Sequence, residues 1–485
     1  MIEAGGPGFL SGPPVTICLR VGHFRGCRVL RLVGEQVESL FDEALPIEVR
    51  ELPEELARLD VLLSDPALLA PIAARWDAEA RERGRPTIAM ALLVRLMVIK
   101  LRTGWGYETL VREVSDSLHL RRFCGLSLTA SVPHESTVRK LVRRLGPQAV
   151  EEITRVLIDK AQRERRFTAR AMRCDSTVVE ADVRWPSDAA LALDAARRLA
   201  REGARAAAAA GEGARRVRNR SRAVGRRLRL IGRTMSRRLA RTGGARALVL
   251  ELTGQAGELV RQSIREARAL AAQTRRRARG RGARAKLIAA RRLDEQAELA
   301  ETVCRQISQR LAGEKIPDRL VSLADPDARP IGKGKLGKRY EFGYVFQLAE
   351  LTPNTRRGAR GLILPAASQV GSPNESELLP QTVAELDRLA ITPREVALDG
   401  GFALDAANGH FPAAEVFVAG RQHPPSRRSK KRLASYRAGA EGRISHLKRG
   451  YGLRRSRLRG HDGARTWTGW AILTYTLDTL AVQAP

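Results

Sequence analysis

From Glu35 to about Arg165 apolar residues recur three and four apart, most clearly in ELPEELARLDVLL (51–63) and TIAMALLVRLMVIKLR (87–102), the period of helices that bury one face. Helices are predicted at Thr87 to Leu101, Tyr107 to Leu118 and Glu135 to Leu145, because Gly104 and Gly106 part the first two and Pro133 precedes the third. Residues 35–165 read as an all-α domain. Its short helices suit a helix-turn-helix variant whose third helix carries Arg139, Lys140, Arg143 and Arg144. Two readings of that helix stand level: a surface that touches DNA, or a packing and dimerisation unit with a solvated basic face.

Near Arg170 the pattern becomes that of strands, with β-branched Thr177, Val178 and Val179 following Asp175 in a strand spanning about Arg170 to Trp185. Further strands are predicted at Tyr340 to Ala349, Gly361 to Ala367, Glu395 to Leu398 and Glu415 to Ala419. A helix at Glu375 to Leu389 separates the third strand from the fourth, and helices at Ser435 to Gly450 and Thr466 to Leu480 close the chain. The fold class expected is α/β (mixed α+β), with residues 166–185 and 316–485 forming one sheet domain. Residues 1–34, rich in Gly and Pro at the start and without periodicity, are expected to be a disordered extension.

Between the first two strands, residues 186–315 read as an inserted segment. No Phe, Trp or Tyr occurs from Pro186 to Arg339, although the chain has 21 of them, so a conventional core is not expected there. Residues 201–300 hold 27 Lys and Arg against 8 Asp and Glu, in Ala- and Arg-rich helices such as Arg261 to Arg277, broken by Gly211, Gly213, Gly243 and Gly244. A basic insertion of helical-hairpin type is expected. A charge run is usually a solvated face, but a surplus this large repels itself, and a polyanion would relieve it while releasing counterions. Deleting residues 201–300 is accordingly expected to weaken binding to DNA ends and flatten its salt dependence.

Charge over the whole chain points the same way, with a formal net charge of +33 and an isoelectric point near 11.2. A membrane is not the expected polyanion, because the longest nearly apolar stretch, Ile88 to Ile99, is short and interrupted by Arg95. No secretory signal is evident. Cysteines 18, 27, 124, 174 and 304 lack paired spacing, which argues against disulfides or zinc and for a reducing cytoplasm.

Candidate chemistry rests on three acids: Asp175 in RCDSTVVEADV, Asp399 in REVALDGGFAL and Glu441 in RAGAEGRISHLKRGYG. On a helix, Arg437, Glu441 and Lys448 fall at i, i+4 and i+11 and share one face, which places a carboxylate between cations able to hold phosphate. After that helix, the run YGLRRSRLRG adds Arg454, Arg455, Arg457 and Arg459. Each acid has an ordinary rival role: Asp175 as a polar strand end, with Glu180 and Asp182 as alternative ligands; Asp399 as a turn starter; Glu441 as half of a surface ion pair. Ser176 and Thr177 lack a His-Asp pattern, so a serine nucleophile is not expected. His446 and His461 read as core or surface residues, and Trp467 and Trp470 as packing against the sheet.

These motifs together resemble the DDE transposases of bacterial insertion sequences. Arg437, Glu441 and Lys448 match R-x3-E-x6-K, although the Tyr often found three residues before the Arg is here Ala434, with Tyr436 displaced. LDGGF around Asp399 and CDSTVVEA around Asp175 resemble the other two motifs. FGYVFQL, Asp325 to Arg329 and WTGWAILTYTLDTLA resemble the ISNCY group, over a span from about Glu35 to the end. The resemblance implies an RNase H-like catalytic domain in which Asp175, Asp399 and Glu441 hold two Mg²⁺ ions, with Mn²⁺ as the alternative, at roughly 3.5–4 Å separation. It implies cutting at element ends and joining of the freed 3′-hydroxyl to target DNA. Arg437 and Lys448 would position phosphate, and Arg437 would also orient Glu441. Double-stranded DNA is the implied partner, the chain acting as a homodimer or larger in the bacterial cytoplasm at the nucleoid. From a different class, a non-catalytic DNA-binding protein would need the basic segments but not the acids, and a related RNase H-like nuclease would cut without joining.

Overall fold

A computed structural model describes residues 17–18, 29–34, 44–75, 87–236, 243–280, 282–335, 338–421 and 426–483, so the expected N-terminal extension lies largely outside the described residues. The helical period at the N-terminus gives α1 (Glu54–Leu63), α2 (Met90–Thr103), α3 (Tyr107–Asp116), α4 (Leu118–Phe123) and α5 (Glu135–Arg163). Helix α2 is buried on all sides and ends at Gly104, whose φ of +72° suits a residue without Cβ. Arg95, which interrupts its apolar run, is buried and pairs with Asp60 of α1. The helix predicted from Tyr107 splits at Ser117, whose hydroxyl accepts from the Leu120 amide and starts α4. Helix α5 continues past its predicted end at Leu145 to Arg163, bent at Gly146 (φ +67°) and Pro147.

Strand β1 (Ala171–Glu180) is buried at nearly every position, the mark of a central strand. It leads into four helices: α6 (Asp188–Ala210), α7 (Ser221–Met235), α8 (Gly243–Arg276) and α9 (Ala283–Leu311). The expectation of a hairpin without a conventional core is overturned here. Leu191, Leu199, Val260, Ile264, Leu270, Leu293, Val303 and Ile307 form a core of their own with many alanines. Small residues let the helices come close enough that no aromatic volume is needed; a Cβ on Gly257 would lie 3.3 Å from Ile307. Most of the arginines are turned to the surface, many of them paired, as in Arg268–Glu301 at 2.6 Å. At the base, Asp188 on α6 is paired with Arg310 at the end of α9 and with Arg319 beyond it, which holds the bundle's entry and exit together.

The chain returns through β2 (Arg329–Lys335), β3 (Lys338–Thr352), β4 (Leu362–Ile363) and β5 (Ala367–Ser368), then α10 (Glu375–Arg388), β6 (Glu395–Leu398), α11 (Leu404–His410), β7 (Glu415–Val418), α12 (Arg427–Gly450) and α13 (His461–Gln483). Among the described residues the sheet has the order β2-β3-β1-β6-β7, with β4 and β5 pairing on β3. Strand β1 runs antiparallel to β3 over its whole length and parallel to β6, which runs parallel to β7. Gly343 is required in β3, since a Cβ there would lie 2.1 Å from the Val179 carbonyl oxygen. Strand β2 was not foreseen: Pro330, Gly332 and Gly334 are poor strand formers. The predicted strand at Gly361 to Ala367 is two short pieces on either side of Pro365.

Helix α12 packs on β1, β6 and β7, while α10 packs on β3 and β5. Helix α13 packs on α1, α2 and α5 as well as on β4, and one hydrophobic core runs from Leu30 through these helices to Ala481. The N-terminal helices and the sheet therefore share a core. No helix among the described residues is long and apolar enough to cross a membrane.

Candidate active site

Parallel pairing matches Cys174 with Leu398, so the next residues lie side by side, Asp175 within β1 and Asp399 just past the end of β6. A third acid reaches them from α10. Glu375 is the first residue of that helix, whose Asn374 cap accepts from the Glu377 amide at 3.0 Å. The Glu375 carbonyl accepts from Gln347 at 2.7 Å, and Gln347 is held in turn by Thr382 at 2.7 Å. The Gly-Gly pair after Asp399 makes the approach sterically open: a Cβ on Gly401 would lie 2.2 Å from a Glu375 carboxylate oxygen. Carboxylate oxygens of Asp175, Glu375 and Asp399 all lie within 4.8 Å of one another.

Glu441 stands at the edge of this cluster, its side chain 68% exposed. Arg437 ties it in, donating to Asp399 at 2.8 Å and to Glu441 at 3.3 Å. The i, i+4 pairing expected of Arg437 and Glu441 is present, and the Arg437 guanidinium also neutralises Asp399. Lys448 follows two turns later on α12, half-buried. Glu180 and Asp182 are remote from the cluster, facing Arg455 at 2.9 Å and 3.9 Å respectively.

Glu375 was missed in the sequence because an acid in the first turn of a helix is commonplace, being favoured by the helix dipole. Only the strand register and the two glycines after Asp399 give it another meaning.

Behind the acids, Arg173 lies two residues before Asp175 on β1 and so on the same face, where α12 packs. Its fully buried guanidinium donates to Glu350 at 2.8 Å, to the Tyr436 carbonyl at 3.0 Å and to the Ala359 carbonyl at 2.8 Å. Arg443 of α12 reaches the same Glu350 at 2.9 Å. Tyr436 is buried against the Arg173 guanidinium, its hydroxyl 2.6 Å from Thr352, so the displaced tyrosine is structural. His446 packs among Tyr451 and Tyr475, His461 lies 3.1 Å from Ser368, and Trp467 and Trp470 are buried.

Burial pushes the Asp175 carboxyl up to about 6, and the nearby charges of Asp399 and Glu441 add to this against the Ser176 amide and Arg437. A raised folded pKa means that the native state binds more protons than the unfolded chain between about pH 4 and 6, so this group's contribution to stability falls as pH rises through that window. In metal-free protein, Asp175→Asn is expected to stabilise the fold by on the order of 2 kcal/mol at pH 7 and by nothing measurable near pH 4. Urea unfolding in EDTA at both pH values tests this; equal stability of the two proteins at pH 7 would refute it. The neighbouring Cys174 thiol is pushed well up by complete burial and is no nucleophile.

Of the predicted DNA-contacting cations, Arg139, Lys140, Arg143, Arg454 and Arg455 are exposed and Arg144 is half-buried. Arg139 and Arg143 line one cavity together with Arg454 and Arg455, although they lie some 300 residues apart.

Residues 48–144 match the family model described as Transposase domain (DUF772), a segment running from before α1 into α5 and containing none of the four acids. No curated protein and no solved structure matches the chain. The match supports a transposase at the level of the family.

Proposed function

We propose that the chain is a transposase of the DDE type, which cuts DNA at the ends of its element and transfers the 3′-hydroxyl strands to target DNA. The observation that carries this reading is the meeting of Asp175, Asp399 and Glu375 within 4.8 Å, in a chain whose N-terminal helices match a transposase domain. With the inserted helices and the edge strand β2 set aside, the succession β1, β3, the β4–β5 segment, α10, β6, α11, β7, α12 is in keeping with an RNase H-like domain.

The donor set fits a hard divalent cation: carboxylate oxygens only, without His or Cys. Asp175, Asp399 and Glu375 would hold Mg²⁺ or Mn²⁺, with Glu441 as the fourth acid for a second ion. Such ions supply a nucleophilic oxygen at neutral pH and stabilise the departing one. The chain's own residues do the rest. Arg437 keeps the acids from repelling one another before the ion arrives, Lys448 faces the phosphate, and the rigid pairing of β1 with β6 keeps the two aspartates aligned. The helical bundle and the arginines after α12 provide sequence-independent attraction for duplex DNA. Joining two ends requires at least a dimer on DNA.

The test is incubation of the protein with duplex containing the sequences that flank its own coding region, in Mg²⁺, Mn²⁺ or EDTA. Nicks at defined ends together with joined products are expected in either metal and in neither case with EDTA. Binding without nicking would leave a non-catalytic DNA-binding protein, and nicking without joining a nuclease.

A further inference from the structure

The cavity shared by Arg139, Arg143, Arg454 and Arg455 has a volume of about 670 Å³ and is walled by Lys100, Trp105, Tyr107, Arg457 and Trp467. It joins elements remote in sequence: the turn after α2, the first half of α5, and the segment between α12 and α13. No carboxylate lines it. Arg139 is paired with Glu135, and Arg455 with Glu180, but Arg143 and Arg454 have no carboxylate partner among the described residues. Lys100 is 5% exposed, donates to the Trp105 carbonyl and lies 4.5 Å from the Tyr107 ring centre. Burial and the charge of Arg457 bring its ammonium down to about 8, so the wall is already crowded with positive charge.

The Tyr107 hydroxyl is buried and has no hydrogen-bond partner among the described residues. A donor left unsatisfied in a protein interior costs free energy unless a ligand or water accepts from it. Here the missing acceptor is surrounded by guanidinium groups, which defines it chemically as an anionic oxygen. Aromatic walls lower the local dielectric and strengthen the attraction of each arginine for such a group.

We propose that this cavity is a phosphodiester subsite that grips the backbone of the DNA strand, with Arg143 and Arg454 on one phosphate and Tyr107 donating to it. The inference rests on the reading that the chain acts on DNA, and adds a place where the N-terminal helices and the segment after α12 hold the same strand. Arg455 joins the cavity to Glu180 at the far end of β1, about 16 Å along the strand from Asp175. The subsite is thus a second hold on the substrate, separate from the acids.

The experiment measures binding of a fluorescent 30-base-pair duplex in EDTA over a range of salt, for wild type, Tyr107→Phe, Arg143→Gln, Arg454→Gln and the double arginine variant. Each arginine variant is expected to bind roughly tenfold more weakly and to lower the salt slope by about 0.9. Tyr107→Phe, which keeps the ring against Lys100, is expected to weaken binding about threefold without changing the slope. The double variant is expected to lose less than the product of the single losses, because both side chains serve one phosphate. Wild-type affinity for Tyr107→Phe, or arginine losses that simply multiply, would overturn the subsite in favour of an ordinary basic surface. Melting temperatures equal to wild type certify the fold. Since no metal is present, a protein that binds in this way but never nicks DNA sinks the proposed function and leaves the subsite standing. One that nicks DNA while its variants bind normally does the reverse.

Discussion

Asp399→Ala protein is expected to lose Mg²⁺-dependent strand cleavage by about 10³-fold or more while binding duplex DNA as tightly as wild type. Divalent cations contribute several kcal/mol to the transition state of such reactions, and each 1.4 kcal/mol is a factor of ten in rate. Asp399 is the residue whose loss should tell most, because its carboxylate lies within 4.8 Å of those of Asp175 and Glu375 and also accepts from Arg437. With it gone, Arg437 keeps only Glu441, and its cation then competes with the metal it formerly made room for. Glu375→Gln and Glu441→Gln sharpen the comparison. If position in the structure decides, Glu375→Gln costs at least as much as Glu441→Gln, since Glu375 lies within the cluster and Glu441 at its exposed edge. Single-turnover nicking rates for the three variants measure this, with DNA binding in EDTA as the control. Wild-type nicking by Asp399→Ala would remove the acid cluster from the chemistry.

Glu350→Ala is expected to destabilise the fold by about 3–5 kcal/mol, read as a lower urea midpoint at unchanged slope. Glu350 is 4% exposed at the side chain and accepts from Arg173, Arg443 and the Gly361 amide. Its removal leaves a buried guanidinium at Arg173 without its counter-charge, the costliest way to break such a pair. The damage would extend beyond stability. Arg173 fastens α12 to β1 and Arg443 fastens it to β3, and α12 carries Arg437, Glu441 and Lys448, so a variant that still folds should also nick DNA poorly. Glu350→Gln, which keeps the acceptor oxygen, should cost less on both counts. An unfolding free energy for Glu350→Ala within about 1 kcal/mol of wild type would show that the network contributes little to folding.

Much of this was legible along the chain. Asp175 and Asp399 could be singled out because one lies within an apolar strand and the other directly follows one, and the neighbours that mark them are local. Helix α12 could be foreseen from the spacing of Arg437, Glu441 and Lys448, and it runs from Arg427 to Gly450 with Arg437 paired to Glu441. What escaped was whatever depends on contacts between remote segments. Glu375 carries an ordinary local signal, and only the register of β1 with β6 and the glycines after Asp399 reveal its place. The bundle's core leaves no mark along the chain because it holds no aromatic residue; alanine-lined helices bury one another by approaching closely. Strand β2 was hidden by Pro330 and its glycines. The arginines of α5 and those after α12 are each a plain basic run; their common cavity exists only in three dimensions.

The pinning of Asp188 by Arg310 and Arg319 brings the first and last turns of the four-helix bundle to one point beside the sheet. A module whose two ends meet can be lengthened, shortened or exchanged without moving the strands that flank it. A change in the bundle's length or charge would therefore leave in place the pairing of β1 with β6 that sets Asp175 beside Asp399.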